Sequence, residues 1–167
     1  MVPVTVESVR VSLVSQHRLM VLREQGGNRY LPIWIGAFEA EAITIKLQGA
    51  TLARPMTHDL LLRCVNQLGG EVVRVVITDL RQETFFASIY IHQDGEELAI
   101  DARPSDAVAL AVRADVPIFV SDTVMELAAI EPDPGSWLDG ESEPTTGEEL
   151  SAFRDFIDSL DLGDLGD

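Results

Sequence analysis

The chain has 167 residues, of which 46% are hydrophobic, and its formal net charge is −16 at pH 7. This length suits one domain with its own apolar core, and no apolar run approaches the roughly 18 to 20 residues that a membrane-spanning helix needs. Such an acidic chain is a poor candidate for binding phosphate backbones broadly, because that binding relies on many Lys and Arg side chains. Any nucleic-acid site must therefore be local.

The first third of the sequence predicts three strands. Residues 3–14 alternate with period two, except for a slip at Glu7–Ser8 that indicates a bulge. Residues 18–24 and 29–35 predict two further strands, joined by the turn sequence QGGN. Pro32 favours an edge or bulged position for the third strand, since proline has no N–H to donate.

Two helices, a three-stranded meander and a helix–strand–helix segment follow. The helices are predicted over residues 37–48 and 57–68, with Thr57 as the N-cap of the second helix and Cys64 as a small buried side chain within it. The later elements are strands 71–79, 84–92 and 97–101, a helix from Pro104 to Ala114, strand 117–120 and helix 122–129. Runs of hairpin-linked strands separated from helices predict an α+β fold, with a mainly antiparallel sheet and helices packed on it.

The C-terminal part differs in composition from this compact domain, which we place at residues 1–130. Residues 131–167 hold 12 acidic residues and a single basic one, Arg154. We interpret residues 131–147 as an acidic Pro/Gly linker and 148–167 as a short amphipathic helix with an acidic tail. The tail either mimics nucleic acid or only improves solubility. The N-terminus has no basic segment typical of a signal peptide and the chain has one cysteine, so we expect a cytoplasmic protein with no membrane association.

Two similar blocks stand where helices begin: RPMTHD at residues 54–59 and RPSD at residues 103–106. The common nucleotide-loop, zinc-protease and serine-hydrolase motifs are absent from the sequence. Helix capping explains much of both blocks, because Pro suits the first helical position, Ser and Thr cap, and Asp complements the helix dipole. Capping does not explain Arg54, Arg103, His58 or the nearby Asp101.

These unexplained residues fit the chemistry of phosphodiester cleavage. Arginines beside helix N-termini suit phosphate, carboxylates hold Mg²⁺ or Mn²⁺, and a histidine transfers protons. We therefore predict phosphate binding by Arg54, Arg103, Thr57 and Ser105, metal binding by Glu39, Asp101 and Asp106, and catalysis by His58, Asp59, Asp101 and Asp106.

Three blocks of the sequence, LPIWIGAFEAEAITIKLQG, RPMTHDLL and AIDARPSDAVALAVRADVPIFV, closely resemble the bifunctional nuclease domain family in order and spacing. The resemblance covers about residues 2–130. It implies a compact α+β domain that self-associates and, from the family's name, nuclease activity on both RNA and DNA. The family's strongest positions correspond here to Glu39, Arg54, Pro55, Thr57, His58, Asp59, Asp101, Arg103, Pro104, Ser105 and Asp106.

Three functions remain open at this point. The first is a metal-assisted nuclease acting on single-stranded or loosely structured RNA and DNA. The second is a non-enzymatic module that binds a ligand or a protein, in which the Arg and Asp residues form a structural ionic network. The third is an enzyme acting on a small phosphorylated or anionic substrate.

The aromatic residues Tyr30, Trp34 and Phe38 lie close together around the proline-containing strand. They form either a self-association surface or part of the core. Together with the resemblance, they lead us to expect a homo-oligomer, most simply a dimer.

Overall fold

The computed structural model describes residues 1–11, 18–50 and 52–131. The end of the first predicted strand lies outside these residues. So do the predicted C-terminal helix and acidic tail, and all of the predicted linker except Glu131.

The described residues form seven strands and four helices, and every predicted element within them is confirmed to within a few residues. The strands are β1 (Val2–Val11), β2 (Arg18–Glu24), β3 (Tyr30–Ile35), β4 (Glu71–Arg81), β5 (Thr84–Gln93), β6 (Glu96–Ala102) and β7 (Ile118–Val120). The helices are α1 (Ala37–Leu47), α2 (Thr57–Gln67), α3 (Pro104–Ala114) and α4 (Asp122–Ala128).

The seven strands form one sheet in the order β3-β2-β1-β7-β4-β5-β6. Neighbouring strands are antiparallel except for β4 and β7, which are parallel. The three-residue strand β7 joins the antiparallel meander β1–β3 to the antiparallel meander β4–β6. The predicted α+β fold with a mainly antiparallel sheet is thus confirmed.

Helix α3 packs against strands β4 and β5 and is itself contacted by α1 and α2. Its residues 107–111 are all buried, and their mostly small side chains allow close approach of the helix to its neighbours. The apolar strand residues Met20, Leu22, Val75 and Ile77 belong to the same core. Because α3 is held from several sides, its N-terminal turn has a fixed position relative to α1 and α2.

The predicted irregularities of the first meander are confirmed. The pairing of β1 with β2 shifts register between Val6 and Ser8, which is the bulge expected near Glu7. Pro32 lies in β3, the outermost strand on that side of the sheet. No helix in the described part of the chain has the length and hydrophobicity needed to cross a membrane.

Two predictions about α2 are wrong. Cys64 is exposed rather than buried, because most of the surface of this helix faces solvent and His58 is its one buried residue. Thr57 is not the N-cap. Met56 holds that position, and its N–H donates to the Asp59 carboxylate at 2.8 Å.

Candidate functional site

Three helix N-termini border a groove of about 400 Å³. The N-caps are Gly36 for α1, Met56 for α2 and Arg103 for α3. We name this the His58 groove and define it by its lining residues Phe38, Glu39, Glu41, Ala42, Met56, Thr57, His58, Arg103 and Asp106.

Arg103 links two carboxylates in the His58 groove. Its Nε lies 2.6 Å and its Nη2 3.1 Å from the two carboxylate oxygens of Asp106, and Nη2 is also 3.0 Å from Glu39 Oε1. The sequence RPSD explains the first contact, since it places Arg103 at the N-cap and Asp106 three residues later. The Arg103 side chain nevertheless remains 65% exposed, so its guanidinium is accessible to a ligand.

His58 connects the two Arg-Pro blocks. It is only 9% exposed, and its Nε2 lies 3.1 Å from Asp106 Oδ1, although 48 residues separate the two in sequence. An ionised carboxylate only accepts hydrogen bonds, so Nε2 carries the proton and donates it to Asp106. Within the described residues Nδ1 makes no hydrogen bond.

The electrostatics of Asp106 favour this arrangement. Burial raises the pKa of its carboxyl group, but the hydrogen bonds from Arg103 and His58, the charge of Arg103, and the charge that His58 carries when it is protonated outweigh burial. The pKa of Asp106 therefore lies below its ordinary value, and the group is a carboxylate at neutral pH.

Asp59 lies outside the His58 groove and has different partners. One carboxylate oxygen accepts the Met56 N–H, and the other accepts from Arg113 Nε at 2.8 Å. Burial raises the pKa of Asp59, but these two hydrogen bonds and the charges of Arg113 and Arg63 hold the pKa below its ordinary value. Asp59 thus fixes the first turn of α2 to α3.

Comparison with known proteins covers the segments that form this groove. A family model described as the bifunctional nuclease domain matches residues 20–133, which include both Arg-Pro blocks. The chain belongs to the bifunctional nuclease domain family.

This family member is similar to a bacterial protein and to plant proteins. An uncharacterized protein of Mycobacterium tuberculosis is 38% identical to it over 97% of this chain and 96% of the relative. Bifunctional nuclease 2 and bifunctional nuclease 1 of Arabidopsis thaliana are 32% and 31% identical over 63% of this chain. The match covers 33% and 34% of those plant proteins, so the matched segment of this chain spans about a third of their length.

Sequence reasoning missed Arg113 of this bifunctional nuclease domain, whose side chain is only 3% exposed. Besides Asp59, its guanidinium donates to the backbone carbonyls of Ala109 and Ala42 at 2.8 and 2.9 Å. The signal was present in AVALAVRA, where one arginine follows an apolar helical run. A charge in such a helix requires buried partners.

The other predicted site residues occupy separate places. Thr57 is exposed and lines the His58 groove, whereas Ser105 is buried at the start of α3 with no capping bond. Asp101 is exposed on β6, where it pairs with Ser88 across the sheet, and it makes no ion pair within the described residues. Arg54 lines a neighbouring pocket rather than the His58 groove.

The predicted metal ligands do not form a site for Mg²⁺ or Mn²⁺ in this arrangement. Glu39 and Asp106 share the guanidinium of Arg103, which takes the place that a cation would have between them. Asp101 is not among the groove residues. Across residues 1–11, 18–50 and 52–131, no group of three His, Cys, Asp or Glu side chains is placed to hold a metal ion. The metal requirement stays a prediction, which an activity assay with EDTA tests.

The predicted aromatic surface is only partly exposed. Tyr30 is buried, whereas Trp34 is partly exposed and Phe38 is 84% exposed at the rim of the His58 groove. The homodimer expected from the sequence stays a prediction, which light scattering of the purified protein tests directly.

Proposed function

We propose that this chain is a nuclease that hydrolyses phosphodiester bonds in RNA and DNA. The observation that carries the proposal is the hydrogen bond between the buried His58 and the Asp106 carboxylate, in a groove that also exposes the Arg103 guanidinium. The names of the plant relatives, both bifunctional nucleases, support it.

The chemistry assigns one role to each of these side chains. Water attacks phosphorus, His58 Nδ1 takes the proton from the attacking water, and Asp106 stabilises the resulting imidazolium. The bond to the leaving oxygen breaks, and that oxygen takes a proton from solvent. Arg103 donates to the phosphoryl oxygens as negative charge builds up on them. Attack by water serves RNA and DNA alike because it needs no 2′-hydroxyl.

Phe38 favours a single-stranded or loosely structured substrate. A phenylalanine ring that is 84% exposed beside the groove offers a face on which a nucleobase stacks. A base inside a duplex is already stacked on its neighbours, so only an unpaired strand can use this ring.

A second candidate function rests on the same contacts. The carboxylates of Glu39, Asp106 and Asp59 all have arginine partners. These ion pairs also suit a non-enzymatic module that binds a ligand or a protein and uses the cluster to hold its helices together.

Replacing His58 distinguishes the two functions. The His58→Gln side chain keeps a donor for Asp106 but cannot accept and release a proton at neutral pH. If the chain is a nuclease, we expect hydrolysis of labelled single-stranded RNA and DNA to fall by about 10²- to 10⁴-fold with a nearly unchanged melting temperature. The matched control His92→Gln alters an exposed histidine on β5 and should keep full activity. Equal activity in both variants would refute the proposed role of His58, and a wild-type protein that hydrolyses neither substrate would favour the binding module.

The same assay with EDTA tests the predicted metal requirement. Activity that persists in EDTA supports catalysis by His58, Asp106 and Arg103 without a metal ion. Activity that disappears and returns with Mg²⁺ or Mn²⁺ supports the sequence-based prediction, and it would require Arg103 to move away from Glu39 and Asp106.

A further inference from the structure

A second pocket, of about 300 Å³, lies next to the His58 groove. Its walls come from the C-terminal end of α1, the segment that leads into α2, and one face of α2. Met56 lines both this pocket and the His58 groove. The two concavities therefore adjoin at this residue.

The cations of this second pocket are distinctive. Eleven Lys and Arg residues lie in the described part of the chain, and eight of them have interaction partners. The other three are Lys46, Arg54 and Arg63. They make no hydrogen bond or ion pair with any described residue, and all three line this pocket. We name it the basic pocket.

The acid in the basic pocket does not neutralise these cations. Asp59 is the carboxylate among the lining residues, and both of its oxygens are already bound, to the Met56 N–H and to Arg113. The charge of Arg63 acts on Asp59 at longer range, but none of Lys46, Arg54 and Arg63 forms an ion pair with a described residue. The pocket therefore gathers three cations free of ion pairs in a chain whose net charge is −16. A concave surface lined by one sign of charge concentrates ligands of the opposite sign.

We propose that the basic pocket binds a backbone phosphate of the nucleic-acid strand whose neighbouring phosphodiester occupies the His58 groove. This inference rests on the proposed function and extends it to Lys46 and Arg63. Phosphate is the chemistry that fits, because arginine guanidinium groups bind its oxygens in pairs and lysine contributes a point charge. A phosphate that belongs to a nucleic-acid strand is favoured over the phosphate of a free nucleotide, because the two sites adjoin at Met56.

The test measures binding of a labelled single-stranded octanucleotide with phosphorothioate linkages, which nucleases hydrolyse slowly, to the full chain. The test variant is Lys46→Gln/Arg63→Gln, whose two parent side chains are exposed. The matched control is Arg23→Gln/Arg81→Gln, which removes the same charge from exposed arginines on β2 and β4. Melting curves of both variants check that they fold.

We expect the affinity of the test variant for the octanucleotide to fall about tenfold or more. The affinity of the control variant should fall much less, because it changes only the net charge of the chain. The dependence of log affinity on log salt should also become shallower in the test variant, by about 0.7 for each phosphate of the single strand that the variant no longer neutralises. Equal losses in test and control variants, or no loss in the test variant, would overturn the proposal.

Two further arms identify the phosphate source and separate this inference from the proposed function. If inorganic phosphate or AMP binds the wild-type chain as tightly as the octanucleotide, the pocket serves a free nucleotide and the strand assignment is wrong. If the octanucleotide binds through Lys46 and Arg63 but unmodified RNA and DNA stay intact, the basic pocket stands and the nuclease function fails. If the nucleic acids are hydrolysed but the test variant binds like wild type, the nuclease function stands and the basic pocket fails.

Discussion

The two Arg-Pro blocks have nearly the same letters but use their charges in different ways. In residues 103–106 the arginine is the N-cap of α3 and pairs with its own aspartate three residues later. In residues 54–59 two additional residues separate the arginine from the aspartate. Arg54 then lines the basic pocket, and the distant Arg113 binds Asp59 instead. The two aspartates thus differ in role, because Asp59 binds Arg113 and links α2 to α3, whereas Asp106 lines the His58 groove.

The largest effect that tests this comparison is the loss of activity in Asp106→Asn. An amide has no negative charge to stabilise the imidazolium, and it no longer fixes which nitrogen of His58 carries the proton. We expect hydrolysis of single-stranded RNA to fall by about 10³-fold, equivalent to about 4 kcal/mol in the activation free energy. Asp59→Asn should reduce activity far less. A larger loss in Asp59→Asn than in Asp106→Asn, measured in a single-turnover assay, would contradict the different roles assigned to the two aspartates.

Arg113→Ala should give the largest loss of stability. It removes a buried guanidinium and leaves Asp59 and two backbone carbonyls without their donor. We expect a loss of about 3 kcal/mol in the free energy of unfolding measured with urea. This is the lower end of the range for broken buried ion pairs, because Asp59 remains partly exposed.

Arg103→Ala is the control for that stability measurement. Its side chain is 65% exposed, so its ion pairs are screened by water and we expect a loss of less than about 1 kcal/mol. Similar losses in Arg103→Ala and Arg113→Ala would mean that both blocks serve the fold, and would favour the non-enzymatic module.

A smaller effect, confined to binding, is expected for Phe38→Ala. Removing the stacking face should weaken binding of a single-stranded octanucleotide by about tenfold, which corresponds to about 1.4 kcal/mol and lies within the range for one stacked base. Stability should not change because the ring is exposed. Leu68→Ala, which trims another exposed apolar side chain, beyond the end of α2, is the control and should bind like wild type.

The smallest effect concerns pH. Asp59 has a pKa below its ordinary value in the folded chain, whereas an unfolded aspartate has a pKa of about 3.9. Between these two pKa values the unfolded state binds more protons than the folded state. The stability that the Asp59 carboxylate contributes is therefore fully present above the unfolded pKa and is lost as the pH falls through the folded pKa. Asp59→Asn should flatten the fall of the urea midpoint between pH 5 and pH 2. A variant curve parallel to that of wild type would contradict this linkage.

Local sequence patterns predict most of this fold. Alternation of apolar residues identified the strands, and proline and glycine marked the ends of elements. The bulge near Glu7 and the edge position of Pro32 followed from the same local rules. The exposure of Cys64 could not be predicted in this way, because it depends on how much of α2 its neighbours cover.

The candidate site was less predictable from the sequence, because its contacts join distant segments. The Arg103–Asp106 pair follows from a spacing of three residues, but the bond from His58 to Asp106 spans 48 residues. Asp101 is near Asp106 in sequence and yet lies on a strand, with its side chain exposed and outside the groove. Only the packing of α1 and α2 against α3 decides which of these side chains meet.

The most direct test of the central claim compares His58→Gln, Asp106→Asn and the double variant in hydrolysis of single-stranded RNA. If the two residues act as a unit, the double variant loses no more activity than the more damaged single variant. Independent losses that multiply in the double variant, or single variants as active as wild type, would contradict a catalytic pair in the His58 groove.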